Sequence, residues 1–421
     1  MNILIVSYFF PPYNTIGAVR TGKLAKYLLR HGHDVRVLSA ENQSLPLTLP
    51  LEIPENRVIR THWININHLP EISAGGRAAV AARGFSNLSQ SKTGIFQKAG
   101  KLYKSMLNIP DGQVGWYIYA LRAGHKLIEK WKPDIIYASA MPFTSLLVAN
   151  TLSRRSHIPW VAELRDLWAG NYYHNYGPIR SWLDNAMERR TLARASGIVT
   201  VSDQLALVLA ERYNIPVEVV PNGYDHEDYE APISVRHTSS VKIVSYTGTI
   251  YPKKQDPTLL FIALEGLSPK ERLQIQFHFY GRNISDINTM VEYYHVGEMV
   301  NVHPAVGYTE SVRIQIESDA LLLLLWNEPS EKGVLTGKLF EYIGAGRPII
   351  AVGPRDNAAA NLITKYGYGR VISNRAEAIA ALRDIIANKY IYPGDQEFRR
   401  ILTREEQTRQ LESFLSELSI R

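Results

Sequence analysis

The 421-residue chain contains no cysteine, which excludes disulfides, thiolate metal centres and cysteine nucleophiles and fits a reducing compartment. It also has no long apolar run. The five leucines from Leu321 to Leu325 are strand-length, far short of the roughly 20 residues that span a bilayer. The opening MNILIVSYFF has an apolar stretch without a basic leader, so it reads as a buried first strand and not as a signal peptide. Those three absences lead to the expectation of a cytoplasmic protein, soluble or peripheral at the inner face of the membrane.

Acidic residues are missing from one long segment. Between Glu71 and Asp111 there is none, yet Arg77, Arg83, Lys92, Lys98, Lys101 and Lys104 all occur. Ile95, Ala99, Leu102, Tyr103 and Met106 recur there at helical spacing. The pattern suits a basic amphipathic helix on anionic lipid, or equally an ordinary surface helix with solvated lysines. The segment lacks aromatics arrayed for base stacking, so nucleic acid is not expected as a partner. The formal charge of +7 points to an anionic partner of some kind.

A hydrophobic content of 45% and a charged content of 21% are ordinary for a globular protein, and the length suits two domains. Strand-like runs alternate with helical patterns twice over. The first set is 3–8, 34–38, 57–61, 134–138, 159–163, 197–201 and 217–220. The second is 241–246, 275–281, 299–303, 320–325, 348–352 and 369–373. Runs such as IVTV, LLLLL and IIAV are continuously apolar, as parallel strands covered on both faces must be. The predicted fold class is therefore α/β with two doubly wound Rossmann-like domains facing across a cleft. The turn-rich PNGYDHEDYEAP, 221–232, reads as the join, with the DHED acids as loop. Ligands are expected at the carboxyl ends of the strands.

The most informative stretch is EKGVLTGKLFEYIGAGRPIIAVG, 331–353. A loop with Gly333 and Gly337 runs into a helix carrying Lys338 and Glu341, and a buried strand follows. Amides at a helix start and the helix dipole attract phosphate, and Lys338 adds a cation. Glu341 can accept hydrogen bonds from two ribose hydroxyls. A capped helix in a plain αβ unit is the blander alternative. The first loop, YFFPPYNTIGAVRTGK, brings Gly17 to the start of another helix, as a phosphate contact or a simple capping turn. It is not G-x-G-x-x-G, and no acid closes the second strand, so a dinucleotide site is not expected.

Taken together, these segments resemble the retaining, nucleotide-sugar-dependent glycosyltransferases of the GT-B fold, the large bacterial polysaccharide-type group. The residues that carry the resemblance are that opening loop, PWVAELRDLW (159–168), TVSD (200–203), PNGYD (221–225), YTGTIYPKKQDPTLLFIAL (246–264) and GVLTGKLFEYIGAGRPI. It implies an acceptor-side domain over 1–222, a donor domain over 223–395, and a last helix within 396–421 that returns to the N-terminal domain. It also implies transfer of a hexosyl group, with retention, from a nucleotide-diphosphate sugar, a UDP-sugar favoured. The implied acceptor is a saccharide or lipid-linked saccharide in surface polysaccharide synthesis, with no metal and no cofactor beyond the donor substrate. A non-hydrolysing nucleotide-sugar epimerase and a non-catalytic sugar-nucleotide-binding protein are the competing functions.

The resemblance places donor contacts at Gly17, Lys254, Arg282, Val306, Leu335, Thr336, Lys338 and Glu341. Lys254 stands where the family has a diphosphate-binding lysine, but the usual arginine five residues earlier is Thr249. Arg282 or Lys338 can supply the missing charge. The first of the family's paired glutamates is replaced by Gly333, with Glu331 nearby. After the fifth strand the family often has a histidine; here stand Glu163, Arg165 and Asp166. Asp166 is the first candidate to orient the sugar or handle the acceptor proton, and Glu163 the second. A helix-capping Asp and an Arg–Glu pair holding the loop are the alternative.

Overall fold

The computed structural model describes residues 1–67, 108–170, 177–230, 241–251, 254–282, 285–328, 331–390, 392 and 394–420. The basic helix expected around Lys98, Lys101 and Lys104 lies outside these. The chain divides into two compact units, Met1–Val220 with Gln410–Arg421, and Pro221–Arg409.

Thirteen strands form among the described residues. In the first unit these are β1 (Asn2–Val6), β2 (Asp34–Ala40), β3 (Val58–Thr61), β4 (Ile135–Ala140), β5 (Trp160–Leu164), β6 (Gly197–Thr200) and β7 (Val217–Val219). All pair in parallel, in the order β3-β2-β1-β4-β5-β6-β7. The second unit has β8 (Lys242–Thr247), β9 (Ile275–Gly281), β10 (Val300–Pro304), β11 (Ala320–Leu324), β12 (Ile349–Val352) and β13 (Gly369–Ile372). Its order is β10-β9-β8-β11-β12-β13, again all parallel. Each sheet reverses its direction of growth at its first strand, which is the doubly wound, Rossmann-like arrangement.

The reason is legible in the apolar runs. The strands β4, β5, β6, β11 and β12 are buried along their whole length. A sheet buried on both faces needs a core on each. In the first unit, Trp116, Leu146, Trp160 and Ile198 lie in one core, and Ile5, Leu28, Val37 and Tyr137 in the other. The last helix, Arg404–Ser419, brings Leu411, Phe414, Leu415 and Leu418 into that second core. Gly197 makes room for it: a Cβ there would stand 2.6 Å from Leu418. The second unit is layered likewise, with Phe261, Phe277 and Phe279 in one core and Leu321, Phe340, Tyr342 and Ile349 in the other. No helix among the described residues is long and apolar enough to cross a membrane.

The DHED segment differs from its reading as loop. Asp225 caps a 3₁₀ turn, His226–Tyr229, through the amide of Glu227.

Candidate functional site

In the second sheet β9 and β11 flank β8, so the crevice at their carboxyl ends is the place where a ligand meets unpaired chain ends. Two segments fill it. Strand β8 ends in Thr247 and continues as Gly248 and Thr249. After β11 the chain reaches Thr336, the N-cap of the helix Gly337–Ala345, whose side chain makes no capping bond. The first turn of that helix thus presents amides that no side chain closes.

Lys338 sits in that first turn. Its Nζ donates to the Tyr246 hydroxyl and, at 2.9 Å, to the Thr249 carbonyl, and it lies 4.2 Å from the centre of the Tyr246 ring. Gly248 makes the approach possible. Its φ of +118° is open to glycine, and a side chain there would collide with the Lys338 stem. Burial depresses the Lys338 pKa to about 7, with Glu341 opposing. Two neutral oxygens hold the ammonium, and the arrangement favours an incoming anion.

Glu341 lies three residues on, on the same helical face. Its Oε2 accepts from Gln315 Nε2 at 3.2 Å. Gln315 belongs to the helix Tyr308–Glu317, is fully buried, and also donates to Thr247 Oγ1 at 3.0 Å. Burial raises the Glu341 pKa, while Gln315, Lys338 and Arg404 pull it down. Behind this pair, Tyr229 donates to Gln315 Oε1 at 3.2 Å and Tyr308 to Asp228 Oδ2 at 2.7 Å. The sequence reading missed this second layer. Its one available signal was Tyr308, directly after the turn glycine Gly307.

The remaining expected donor residues are placed as follows. Lys254 pairs with the buried Glu331 and lies 5.4 Å from the Trp326 ring. Glu331 is therefore committed to a cation, while Gly333, at the position of the family's first glutamate, is exposed. Arg282 is exposed just past β9, its carbonyl bonded to the amide of Ile250 at 3.4 Å. Val306 is half-buried in the turn before the helix Tyr308–Glu317. Leu335 packs against the core beneath the helix Gly337–Ala345. Lys338 and Glu341 thus share one turn, and Lys254 belongs to a neighbouring ion pair.

In the first unit, the helix Ile16–Arg30 starts at the end of β1, with Thr15 accepting from the Ala18 amide. The Arg165 guanidinium lies on Gly17, where a Cβ would come within 2.9 Å of it, and its Nε donates to the Ala140 carbonyl at 2.9 Å. Asp166 is exposed beside it. Glu163 is different. It is fully buried, with Arg20 Nε and the Tyr137 hydroxyl each 2.6 Å from Oε1, and the Ser139 hydroxyl on Oε2. Burial alone would raise its pKa, but Arg20, Arg165 and those hydroxyls outweigh that and hold it down to about 2. Both oxygens are spent on tying helix to sheet. The geometry makes Glu163 a structural anchor, and of its two ELRD carboxylates only Asp166 reaches solvent.

Residues 17–223 match the model of the glycosyl transferase 4-like domain. Over those residues, just under half of the chain, the sequence is similar to that glycosyltransferase domain family. Solved structures give the fold of the whole. The sucrose-phosphate synthase of Thermosynechococcus elongatus superposes with a TM-score of 0.63 at 14% identity, over 99% of each chain. HepE of Anabaena, in complex with UDP and glucose, gives 0.60 at 14%, over 99% of this chain and 100% of the other. The lipopolysaccharide outer core galactosyltransferase WaaB gives 0.54 at 13%, over 99% of both. The fold is GT-B. No curated protein sequence matches the chain.

Two predictions follow from the charges. Glu163→Ala leaves Arg20 buried without its counter-ion, so urea unfolding should show a loss of about 3–5 kcal/mol. Because the folded pKa of Glu163 is depressed, this stabilisation is present above its ordinary value near 4.5 and is lost as pH falls toward 2. A variant as stable as wild type would contradict the anchoring role. Lys338 predicts a proton uptake: a bound diphosphate must raise a pKa that burial holds at about 7. Diphosphate affinity should then fall by up to about tenfold per pH unit above 7. Calorimetry in buffers of different ionisation enthalpy reads this directly, and Lys338→Arg should remove the slope.

Proposed function

We propose that the protein transfers a hexosyl group from a nucleotide-diphosphate sugar, with a UDP-sugar as donor, to a saccharide or lipid-linked saccharide. The observation that carries the reading is the pairing of Lys338 and Glu341 on one face of a helix that opens at the switch point of the second sheet. The cation and the uncapped amides suit a diphosphate. The carboxylate, three residues deeper and held by Gln315, suits the vicinal hydroxyls of a ribose. The UDP and glucose bound to HepE, a protein of the same fold, support a donor of this class.

In this reading the bond from the anomeric carbon to the diphosphate breaks as the acceptor oxygen bonds that carbon. The electron pair goes to the leaving phosphate, where charge builds. Lys338, the helix amides, Lys254 and Arg282 stabilise it without a metal ion. Among the described residues no carboxylate stands out as a nucleophile, so attack on the same face steered by the leaving phosphate, with retention, is favoured over a covalent intermediate. The acceptor proton passes to that phosphate or to Asp166, and Gly17 is a further candidate donor contact. The basic 72–110 segment gives the N-terminal half a route to an anionic membrane, where a lipid-linked acceptor for surface polysaccharide resides. The likeness in fold to a lipopolysaccharide galactosyltransferase agrees with that placement.

Calorimetry of Glu341→Ala with nucleoside diphosphates tests the donor site. Loss of a carboxylate that holds two hydroxyls should cost on the order of 2–4 kcal/mol. Unchanged affinity in a folded variant would remove Glu341 from the site. Transfer should also persist in excess EDTA; an enzyme silent in EDTA and restored by magnesium or manganese would overturn the metal-free leaving-group chemistry.

A further inference from the structure

At the amino-terminal ends of β5 and β6, the edge of the first sheet opposite Gly17 and Arg165, lies a cavity of about 520 Å³. Its walls come from the end of the helix Thr144–Ser156, the links into β5 and β6, and the last turn of the helix Arg404–Ser419. Arg154, His157 and Arg194 line it, all three exposed, and no acidic residue does. Among the described residues neither guanidinium has an ion-pair or hydrogen-bond partner. Ser196 also lines it, and Ile158 and Leu418 contribute apolar side chains.

Cations at helix C-termini are favoured by the dipole in any protein, and that accounts for Arg154 and Arg155 in the last turn of their helix. Arg194, two residues past the helix Pro178–Leu192 with its amide on the Thr191 carbonyl, stands at a second helix C-terminus. The dipoles do not account for both cations lining one concave surface without a carboxylate to relieve them. Elsewhere in the chain exposed arginines pair readily: Arg313 with Glu310 and Glu317, Arg400 with Glu397, Arg409 with Glu405. Two planar guanidiniums beside a hydroxyl are the donor set that recognises a phosphate group. The volume falls in the range of small-molecule sites and exceeds what a bare phosphate fills.

We infer that this cavity binds a small phosphomonoester, the phosphate between Arg154 and Arg194 and its organic carrier against Ile158 and Leu418. The site is separate from the one at the carboxyl ends of the strands and does not depend on the function proposed above. Ribose 5-phosphate, with free ribose as control, is a suitable probe for calorimetry on the full chain. Wild type should bind it, and Arg154→Gln combined with Arg194→Gln should weaken binding by at least about tenfold. Arg155→Gln, on the same helix but outside the cavity, should bind as wild type does. Lys254→Gln combined with Lys338→Gln, which empties the other anion site, should leave this affinity unchanged. Loss of binding in that second pair alone, or equal binding by all variants, would overturn the assignment. So would Arg154- and Arg194-dependent flotation with phosphatidylglycerol vesicles in the absence of any response to ribose 5-phosphate, which would assign the cations to a lipid headgroup.

Discussion

A partly buried ammonium held only by neutral oxygens is the constraint around which the second unit is organised. Lys338 reaches the Tyr246 hydroxyl and the Thr249 carbonyl because Gly248 offers no side chain to block it. Gly281 in turn has to be glycine, since a Cβ there would strike the Gly248 carbonyl. The ends of two neighbouring strands, β8 and β9, are thus shaped around one cation. Keeping that cation charged at its buried position costs on the order of a few kcal/mol, since each pKa unit is about 1.4. An anion that supplies the missing counter-charge recovers that energy, which makes ligand binding part of the electrostatics of the fold.

Glu341 shows the same logic with the sign reversed. Its carboxyl is held by Gln315, whose amide also bonds Thr247 at the end of β8, so the strand, two helices and the 3₁₀ turn at Asp228 share one hydrogen-bonded layer. Two ionisable groups of opposite charge, each pushed toward neutrality by burial, are poised to become fully charged when a ligand bearing phosphate and hydroxyls arrives.

The sheets were readable in the sequence because burial on both faces writes continuous apolar runs. The strands β11 and β12 stand out in that way, and their boundaries fall within a residue or two of those expected. Lys338 and Glu341 were readable because glycines and a helix signal surround them. The supporting layer was not. Asp228 and Tyr229 come from one segment and Tyr308 and Gln315 from another about 80 residues on, and polar residues at a turn look alike whether they face solvent or a buried carboxylate. Glu163 and Asp166 make the same point: three residues apart in ELRD, they differ in that β5 carries the first into the core and the loop carries the second out of it.

The central claim is that the crevice at the carboxyl ends of β8 and β11 receives the donor nucleotide. Hydrogen exchange with and without UDP tests it most directly. The account predicts slower exchange in 247–251, 306–310 and 335–342, with the β12–β13 edge unchanged. Saturation by UDP with no protection in those three segments, or with protection confined to the first unit, would contradict it.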